Sequence, residues 1–450
     1  MKLVDEFFEF ETKNKLFDIK DKNDLVPWES IRYFVFYHIF WTKLGTQNEY
    51  FGVDGKRKNI FTRIKKVLQF FIYLFTHRKC KRLFLLCSRD RKGNIMYDKI
   101  TDGFYMLSNV CDNFLIETTD SWIKPNYKYI NESTTTIIIS ILERFMRRRR
   151  YSAVIDDIIQ RNYPEIKWNF NELHRAYQVF LAQYYFYSFI FKVSKIKKIF
   201  MVQNGIQKGF FAAAKKRKIW MAELQHGQFS KNHIAYSYPQ CVKNNPEIIY
   251  QPNYLLTFGE FWMKGYLYPG VTTISLGNNS YGEKNIDSQS IEKYRKKILV
   301  ISNEIIGDFM AESVMKILSH DCSFEFYFKL HPHEYAHTTK YERFFHNINN
   351  VKVITNENTI NDLLRKSEFV FLTDSTVELE ALEMGRKVIV IKKYSYEIMD
   401  FVFNEKGIYF IDEAEEFISC YNAHKDEQLE PRNDIFQPFD KEKALELLKC

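Results

Sequence analysis

The chain has no closely spaced cysteine pair. Its seven cysteines stand at 80, 87, 111, 241, 322, 420 and 450, an odd number with no CxxC. That excludes a disulfide framework and a thiolate zinc site, and fits a reducing cytosol. The N-terminal MKLVDEFFEFETKNK has no apolar signal core. The longest apolar stretches, 31–41, 67–75 and 179–193, are too short or too polar to span a bilayer and read as core helices. There is no phosphate-binding P-loop, no G-x-G-x-x-G fingerprint and no G-x-S-x-G elbow. His226, His233 and His331–His333 have no metal-ligand spacing. Internal repeats, long low-complexity tracts and nucleic-acid modules are missing too.

What is present suits a folded chain of 450 residues, enough for two or three domains. Aromatics make up 17%, with 41 Phe and 29 Tyr. Sugar stacking or membrane contact would use them, and so would a general Phe, Tyr, Ile, Lys and Asn bias. The net charge of +9 gathers in the first half, at Lys56–Lys58, Lys65-Lys66, His77–Arg82, Arg147–Arg150 and Lys215–Lys218. Such runs are either solvated helix ends or a face for anionic lipid or a polyanionic glycan.

The first 80 residues read as helical and aromatic, with a helix opening at Pro27-Trp28-Glu29. Arg82–Cys87 is the first strand, followed by a polar loop, Ser88–Asn94. Asp98 and Asp102 stand four apart, on one helix face. Helices are expected over 137–148 and 173–192. Ile199–Val202, Lys208–Lys216 and Ile219–Leu224 make a strand–helix–strand unit ending in Gln225-His226-Gly227. Tyr254–Phe258 is another strand, and the polar GNNSYGEKNIDSQS, 277–290, reads as a linker. Beyond it, strands at 298–302, 324–330, 351–354, 369–372, 387–391 and 407–411 alternate with helices at 309–318, 360–366, 376–384, 414–421 and 441–449. That is a doubly wound α/β pattern. The expected units are 1–276, Rossmann-like with helical additions; 291–430, Rossmann-like; and 431–450, a helix returning to the first unit.

Three constellations carry chemistry. Lys329-Leu330-His331-Pro332 ends a strand, and its imidazole can donate to a phosphate oxygen; strand alternation points Lys329 elsewhere. Thr373-Asp374-Ser375-Thr376 ends the next inner strand, and Ser375 with Glu378 fits an S-x-x-E capping box. A helix start with spare hydroxyls also attracts anions. Glu380 follows on that helix, within reach of ribose hydroxyls. Glu223-Leu224-Gln225-His226, with His233 and Tyr236 behind it, ends a strand of the first unit. Its imidazole suits a general base, and Glu223 is either an alternative base or the group that orients the ring.

At these residues the chain resembles GT-B glycosyltransferases of bacterial surface-polysaccharide synthesis. His331-Pro332 and Ser375-Thr376 are similar to motifs of bacterial sialyltransferases, polysialyltransferases and capsule Kdo transferases. Glu380-Ala381-Leu382 with Gly385 is similar to the GT-B helix whose Glu binds the donor ribose. Gln225-His226-Gly227 is similar to a segment of capsule and lipopolysaccharide proteins. The acidic pair before Gly that serves those sialyltransferases has no match in the first unit. The resemblance implies a cleft between two Rossmann-like domains and a nucleotide-sugar donor, with a CMP-sugar favoured. Lys329, His331, Pro332, Thr373, Ser375, Thr376, Glu380 and Ser302 would hold that donor. His226, Glu223 and Asp98 would face a glycan or lipid-linked glycan acceptor. It implies no metal, no cofactor beyond the donor, no nucleic acid, and a cytoplasmic place with membrane-surface contact through the basic N-terminal unit. A teichoic-acid-type polyol-phosphate transferase, a nucleotide-sugar epimerase and a non-catalytic glycan-assembly subunit are the alternatives.

Overall fold

The computed structural model describes residues 3–43, 60–86, 90–92, 95–97, 100–109, 112–117, 129–202, 205, 207–227, 230, 232–263, 269–278, 292–304, 306–373, 375–392, 402 and 404–449. Two parallel sheets with flanking helices organise it. Among the described residues the first holds seven strands and the second six, in the α/β class that the alternating strand and helix patterns predict.

Three helices open the chain: α1 (Leu3–Lys13), α2 (Trp28–Lys43) and α3 (Ile60–Thr76). Strand β1 (Arg82–Leu86) follows, then a small hairpin of β2 (Asp90–Lys92) and β3 (Ile95–Tyr97) where sequence alone suggests only a loop. Next come α4 (Asp102–Tyr105), β4 (Asn113–Glu117), β5 (Ile130–Asn131), α5 (Glu132–Met146), α6 (Ala153–Asn162) and α7 (Phe170–Val193). The unit closes with β6 (Lys198–Met201), α8 (Lys208–Lys216), β7 (Trp220–Leu224), β8 (Tyr254–Thr257) and β9 (Thr272–Ser275). The sheet order is β5-β4-β1-β6-β7-β8-β9. Its direction of winding reverses between β1 and β6.

The second sheet is built from β10 (Lys297–Ile301), α9 (Gly307–His320), β11 (Glu325–Lys329), α10 (Thr338–Phe344), β12 (Val351–Ile354), α11 (Ile360–Arg365) and β13 (Phe369–Leu372). It continues through α12 (Val377–Glu383), β14 (Lys387–Ile391), β15 (Ile408–Ile411) and α13 (Phe417–His424). The order is β12-β11-β10-β13-β14-β15, so the reversal falls between β10 and β13. Gly385 ends α12 with φ of 64°, a left-handed cap that a β-carbon would crowd against the Leu429 carbonyl.

The last segment returns to the first sheet. Trp262 Nε1 donates to the Ile435 carbonyl at 2.9 Å, and Gln437 N to that of Phe258 at 2.7 Å. Helix α14 (Lys441–Leu448) follows, burying Ala444 and Leu448 beside Phe84, Phe200 and Leu224. Arg82 and Lys198, on the first sheet, donate to its Leu448 and Leu447 carbonyls at 2.8 and 2.9 Å. Gly259 and Gly277 lie flush against this returning segment, where a β-carbon would meet the carbonyls of Asp434 and Pro438.

Candidate functional site

Open parallel sheets bind ligands outside the carboxyl ends of their strands, where the winding reverses. In the second sheet that point is flanked by Ser302, just past β10, and Thr373, just past β13. Val300 pairs with Phe371, so the same register brings Ser302 level with Thr373. Ile301 pairs with Lys329, which puts His331 on the neighbouring β11 side of the same edge.

The His331 turn is fixed by its own short-range bonding. His331 caps the 3-10 turn Pro332–His337, its Nδ1 accepting from His333 N at 3.3 Å. A neutral ring held that way carries its proton on Nε2, leaving that N–H as a donor. Glu334 closes the box by accepting from His331 N at 2.9 Å. Glu334 also accepts from Ser302 Oγ at 2.9 Å and Tyr341 Oη at 2.8 Å while nearly fully buried. Burial and the neighbouring His333 hold the His331 pKa below its ordinary value. Glu334 was not singled out in the sequence, although its place three residues after His331 is the spacing of a capping box.

Two residues expected at the donor are engaged elsewhere. Ser302 gives its proton to Glu334 and ties β10 to the His-Pro turn. Lys329 is buried, with Nζ donating to Tyr335 Oη at 2.9 Å, to the Leu330 carbonyl at 3.2 Å and to the Thr355 carbonyl. It clamps the end of β12, because alternation along β11 turns it away from Phe326 and Phe328.

Beyond β13, Thr373 is buried, whereas Ser375 and Thr376 are half-exposed. Glu378 accepts from Ser375 N at 3.3 Å, as a capping box requires, but Ser375 Oγ accepts from Val377 N at 3.3 Å rather than from Glu378 N. The Ser375 hydroxyl proton is left for another acceptor. Glu380 sits half-buried on the first turns of α12, and Pro332 is exposed on its turn. Asp98 lies outside the described residues, and Asp102 opens the short α4.

In the first sheet the chemistry collects beyond β7. Met221 and Glu223 point to one face of the strand; Ala222 and Leu224 join the cluster on the other. Glu223 is fully buried and accepts from Tyr236 Oη at 2.8 Å. Its Oε2 has no hydrogen-bond partner among the described residues. Burial raises its pKa to about 8 against the pull of Tyr236 and Lys208, so the carboxyl is neutral at pH 7. His226 is partly exposed, with Nδ1 3.9 Å from Glu223 Oε1, and burial holds its pKa below 6.5. Behind it, burial and the proximity of His226 push His233 down to about 4.

The N-terminal helices hold this loop in place. Arg32 of α2 bonds Glu11 of α1 at 2.8 and 3.0 Å and the Ile234 carbonyl at 2.7 Å. Glu29 accepts from Tyr250 N at 2.7 Å and Tyr238 Oη at 3.1 Å. Lys208, opening α8, donates to Tyr238 Oη and the Tyr250 carbonyl, both at 2.9 Å. The Arg32–Glu11 pair is buried with both carboxylate oxygens bonded, whereas Glu29 Oε1 has no hydrogen-bond partner among the described residues; together these bonds fix the path of residues 232–250. Among the described residues no group of three or more His, Cys, Asp or Glu is arranged to hold a metal.

No protein-family model matches the chain, and no curated protein matches it in sequence. Solved structures similar to it include UDP-GlcNAc 2-epimerase from Methanocaldococcus jannaschii in complex with UDP-GlcNAc and UDP. That likeness has 12% identity and a TM-score of 0.47, over 82% of this chain and 99% of that one. A UDP-GlcNAc 2-epimerase from Neisseria meningitidis bound to UDP-GlcNAc is similar at 12% identity and a TM-score of 0.43, over 82% and 98%. A glycosyltransferase from Rickettsia africae is similar at 12% identity and a TM-score of 0.41, over 76% and 88%. At these values the likeness says nothing of chemistry.

Proposed function

We propose that the chain is a GT-B-type glycosyltransferase that moves a sugar from a nucleotide-activated donor to a glycan acceptor in surface-polysaccharide synthesis. The observation that carries the reading is the second sheet's edge. Ser375 and Thr376 follow β13, which borders the point of reversal, and β11, on the far side of β10, leads to an imidazole whose Nε2–H has no acceptor in the described bonding. Hydroxyl and imidazole donors of this kind stabilise a leaving phosphate as its charge develops. The His-Pro and Ser-Thr resemblance favours a CMP-sugar among the possible donors.

The acceptor would enter beside His226. A base must be unprotonated to take the hydroxyl proton, and an imidazole held below 6.5 meets that condition at pH 7. Glu223, neutral and fixed by Tyr236, orients the ring and places no competing negative charge beside the acceptor. The acidic pair that serves the resembling sialyltransferases has no match in this chain, and His226 is the proposed base in its stead. The proposed reaction is a single in-line displacement with inversion, needing no metal. A lipid-carried glycan is the proposed acceptor, and the inner face of the membrane its place.

The test is a thermal-shift panel of CMP, CDP, UDP and GDP with their sugars, followed by product assays. One nucleotide should stabilise the wild type. His331→Ala should weaken its binding by about 10- to 100-fold, the worth of one hydrogen bond to a charged group. His331→Gln, which keeps a donor, should recover part of it. A shift unaltered by His331→Ala refutes the proposed donor site. Polyol-phosphate transfer from CDP-glycerol would replace the reading with a teichoic-acid-type transferase, and sugar conversion without acceptor would replace it with an epimerase. Full function in His226→Ala and His331→Ala would leave a non-catalytic assembly subunit.

A further inference from the structure

Helix α3 is apolar on both sides, and among the described residues only one side packs into the core. Phe70, Tyr73 and Leu74 pack into the first unit's core, Tyr73 against Phe114 and bonded to Leu115 N at 3.0 Å. On the other side Ile64, Leu68, Phe71, Ile72 and Phe75 remain 38–65% exposed. They recur every three or four residues and form one stripe along the helix. The stripe widens onto its neighbours. Phe71 meets the exposed Phe189 of α7 at 6.4 Å, and Lys66 bonds Ser133 at the start of α5 at 2.6 Å. Helix α5 presents Ile141 and Phe145, the latter 75% exposed. An apolar stripe running along one helix, joined at Phe71 to Phe189, marks an interaction surface, unlike apolar residues scattered singly.

Its rim is basic. From Lys56 to Arg82 the sequence has no Asp or Glu. Lys65, Arg78 and Lys79 are exposed, as are Arg144 and the run Arg147–Arg150 at the end of α5. Glu143, the acid nearest that run in sequence, is paired with Arg175 at 3.1 Å.

We infer that this face docks on an anionic lipid bilayer, with α3 in the plane of the interface. The Phe, Ile and Leu stripe enters the boundary between headgroups and acyl chains, and the lysines and arginines meet lipid phosphates. Charge decides between this occupant and a second copy of the chain. A two-fold dimer places the same patch on both sides of the interface, so each basic rim would face another. A phosphate-rich surface neutralises the rim instead. Docking is peripheral, because no described helix is long and apolar enough to cross a membrane.

The experiment uses the full chain and sedimentation with two vesicle types: phosphatidylcholine alone, and phosphatidylcholine with an equal amount of phosphatidylglycerol. Binding to the mixed vesicles only, weakening as salt rises, is expected. Combined Ile64→Ser, Leu68→Ser and Ile72→Ser should abolish it while leaving thermal stability and any nucleotide-induced shift unchanged. Combined Arg147→Ala and Arg148→Ala should weaken it by about fivefold per charge removed. Failure of the wild type to bind, equal binding to both vesicle types, or binding untouched by the serine variant overturns the proposal. So does light scattering that shows a wild-type dimer converted to monomer by the serines, which would assign the face to a second copy. None of these results depends on which sugar, if any, the chain transfers.

Discussion

Replacing Glu223 with Gln isolates one buried proton. The carboxyl is fully buried on β7, and its pKa moves from an ordinary 4.5 to about 8. The folded state therefore holds the proton more tightly than the unfolded one. The stabilisation from that proton is complete below pH 4.5 and is lost as pH rises through 8. Between pH 5 and pH 9 the wild type should lose about 4 kcal/mol that the Gln variant keeps, at about 1.36 kcal/mol for each tenfold change in proton affinity. Gln has the same shape, and its amide oxygen still accepts from Tyr236, so the variant should differ little from wild type near pH 5. Urea unfolding of both proteins, followed by tryptophan fluorescence across this range, reads the difference directly. Other titrating groups are common to the two and cancel. If the difference stays within about 0.5 kcal/mol from pH 5 to 9, the ordinary range of a surface substitution, then Glu223 ionises as freely as an exposed acid. The argument for a neutral partner beside His226 would then fail.

His226→Ala should lower kcat by about 10²- to 10⁴-fold with little change in nucleotide binding, as loss of a general base does. In the wild type, activity should fall on the acid side through a pKa below 6.5, the pH at which His226 takes up a proton; an acid limb above 6.5 would count against it. Lys329→Met should cost about 1–3 kcal/mol of stability, because the Leu330 and Thr355 carbonyls lose their donor. Its nucleotide affinity should hold, and an affinity loss larger than the stability loss would return Lys329 to the donor site. Gly259→Ala should cost about 1–3 kcal/mol by pressing on the Asp434 and Ile435 carbonyls. Faster proteolytic cutting between 425 and 435 would report loosening of the returning segment.

The second sheet was legible almost to the residue. Its strands are short apolar runs, closed by Pro332 and Thr373 or preceded by the Gly385 helix cap, and punctuation of that strength leaves little choice of boundary. The expected 351–354, 369–372 and 387–391 strands coincide with β12, β13 and β14. The first unit was harder. Strand β9, Thr272–Ser275, alternates too weakly to stand out, being half-exposed at a sheet edge. The β2–β3 hairpin has three residues a side, Asp-Arg-Lys against Ile-Met-Tyr, too few to show an alternating pattern. Helices α1 and α2 were expected, but nothing in their periodicity says that Glu29 and Arg32 reach some two hundred residues ahead to hold the loop behind His226.

The residues that sequence placed well and those it misplaced differ in one physical respect. A strand end fixes where a side chain begins, and that is readable from the alternation of apolar residues. Whether its polar atom is free depends on donors and acceptors brought up by distant segments. Lys329 and His331 are two residues apart on one strand end, yet Thr355 and Tyr335 consume the ammonium, whereas the His331 ring is held only through Nδ1. The same limit applies to apolar residues. The 67–75 stretch reads as a core helix because each of its apolar positions is equally suited to burial. The fold supplies a neighbour for Phe70, Tyr73 and Leu74 and leaves Leu68, Phe71, Ile72 and Phe75 facing outward. Periodicity therefore says which residues share a face, and only the packed chain says which faces remain to be covered. Among the described residues the exposed apolar stripe of α3 shares its helix and flanks with lysine and arginine, and that combination is what the proposal of an anionic surface rests on.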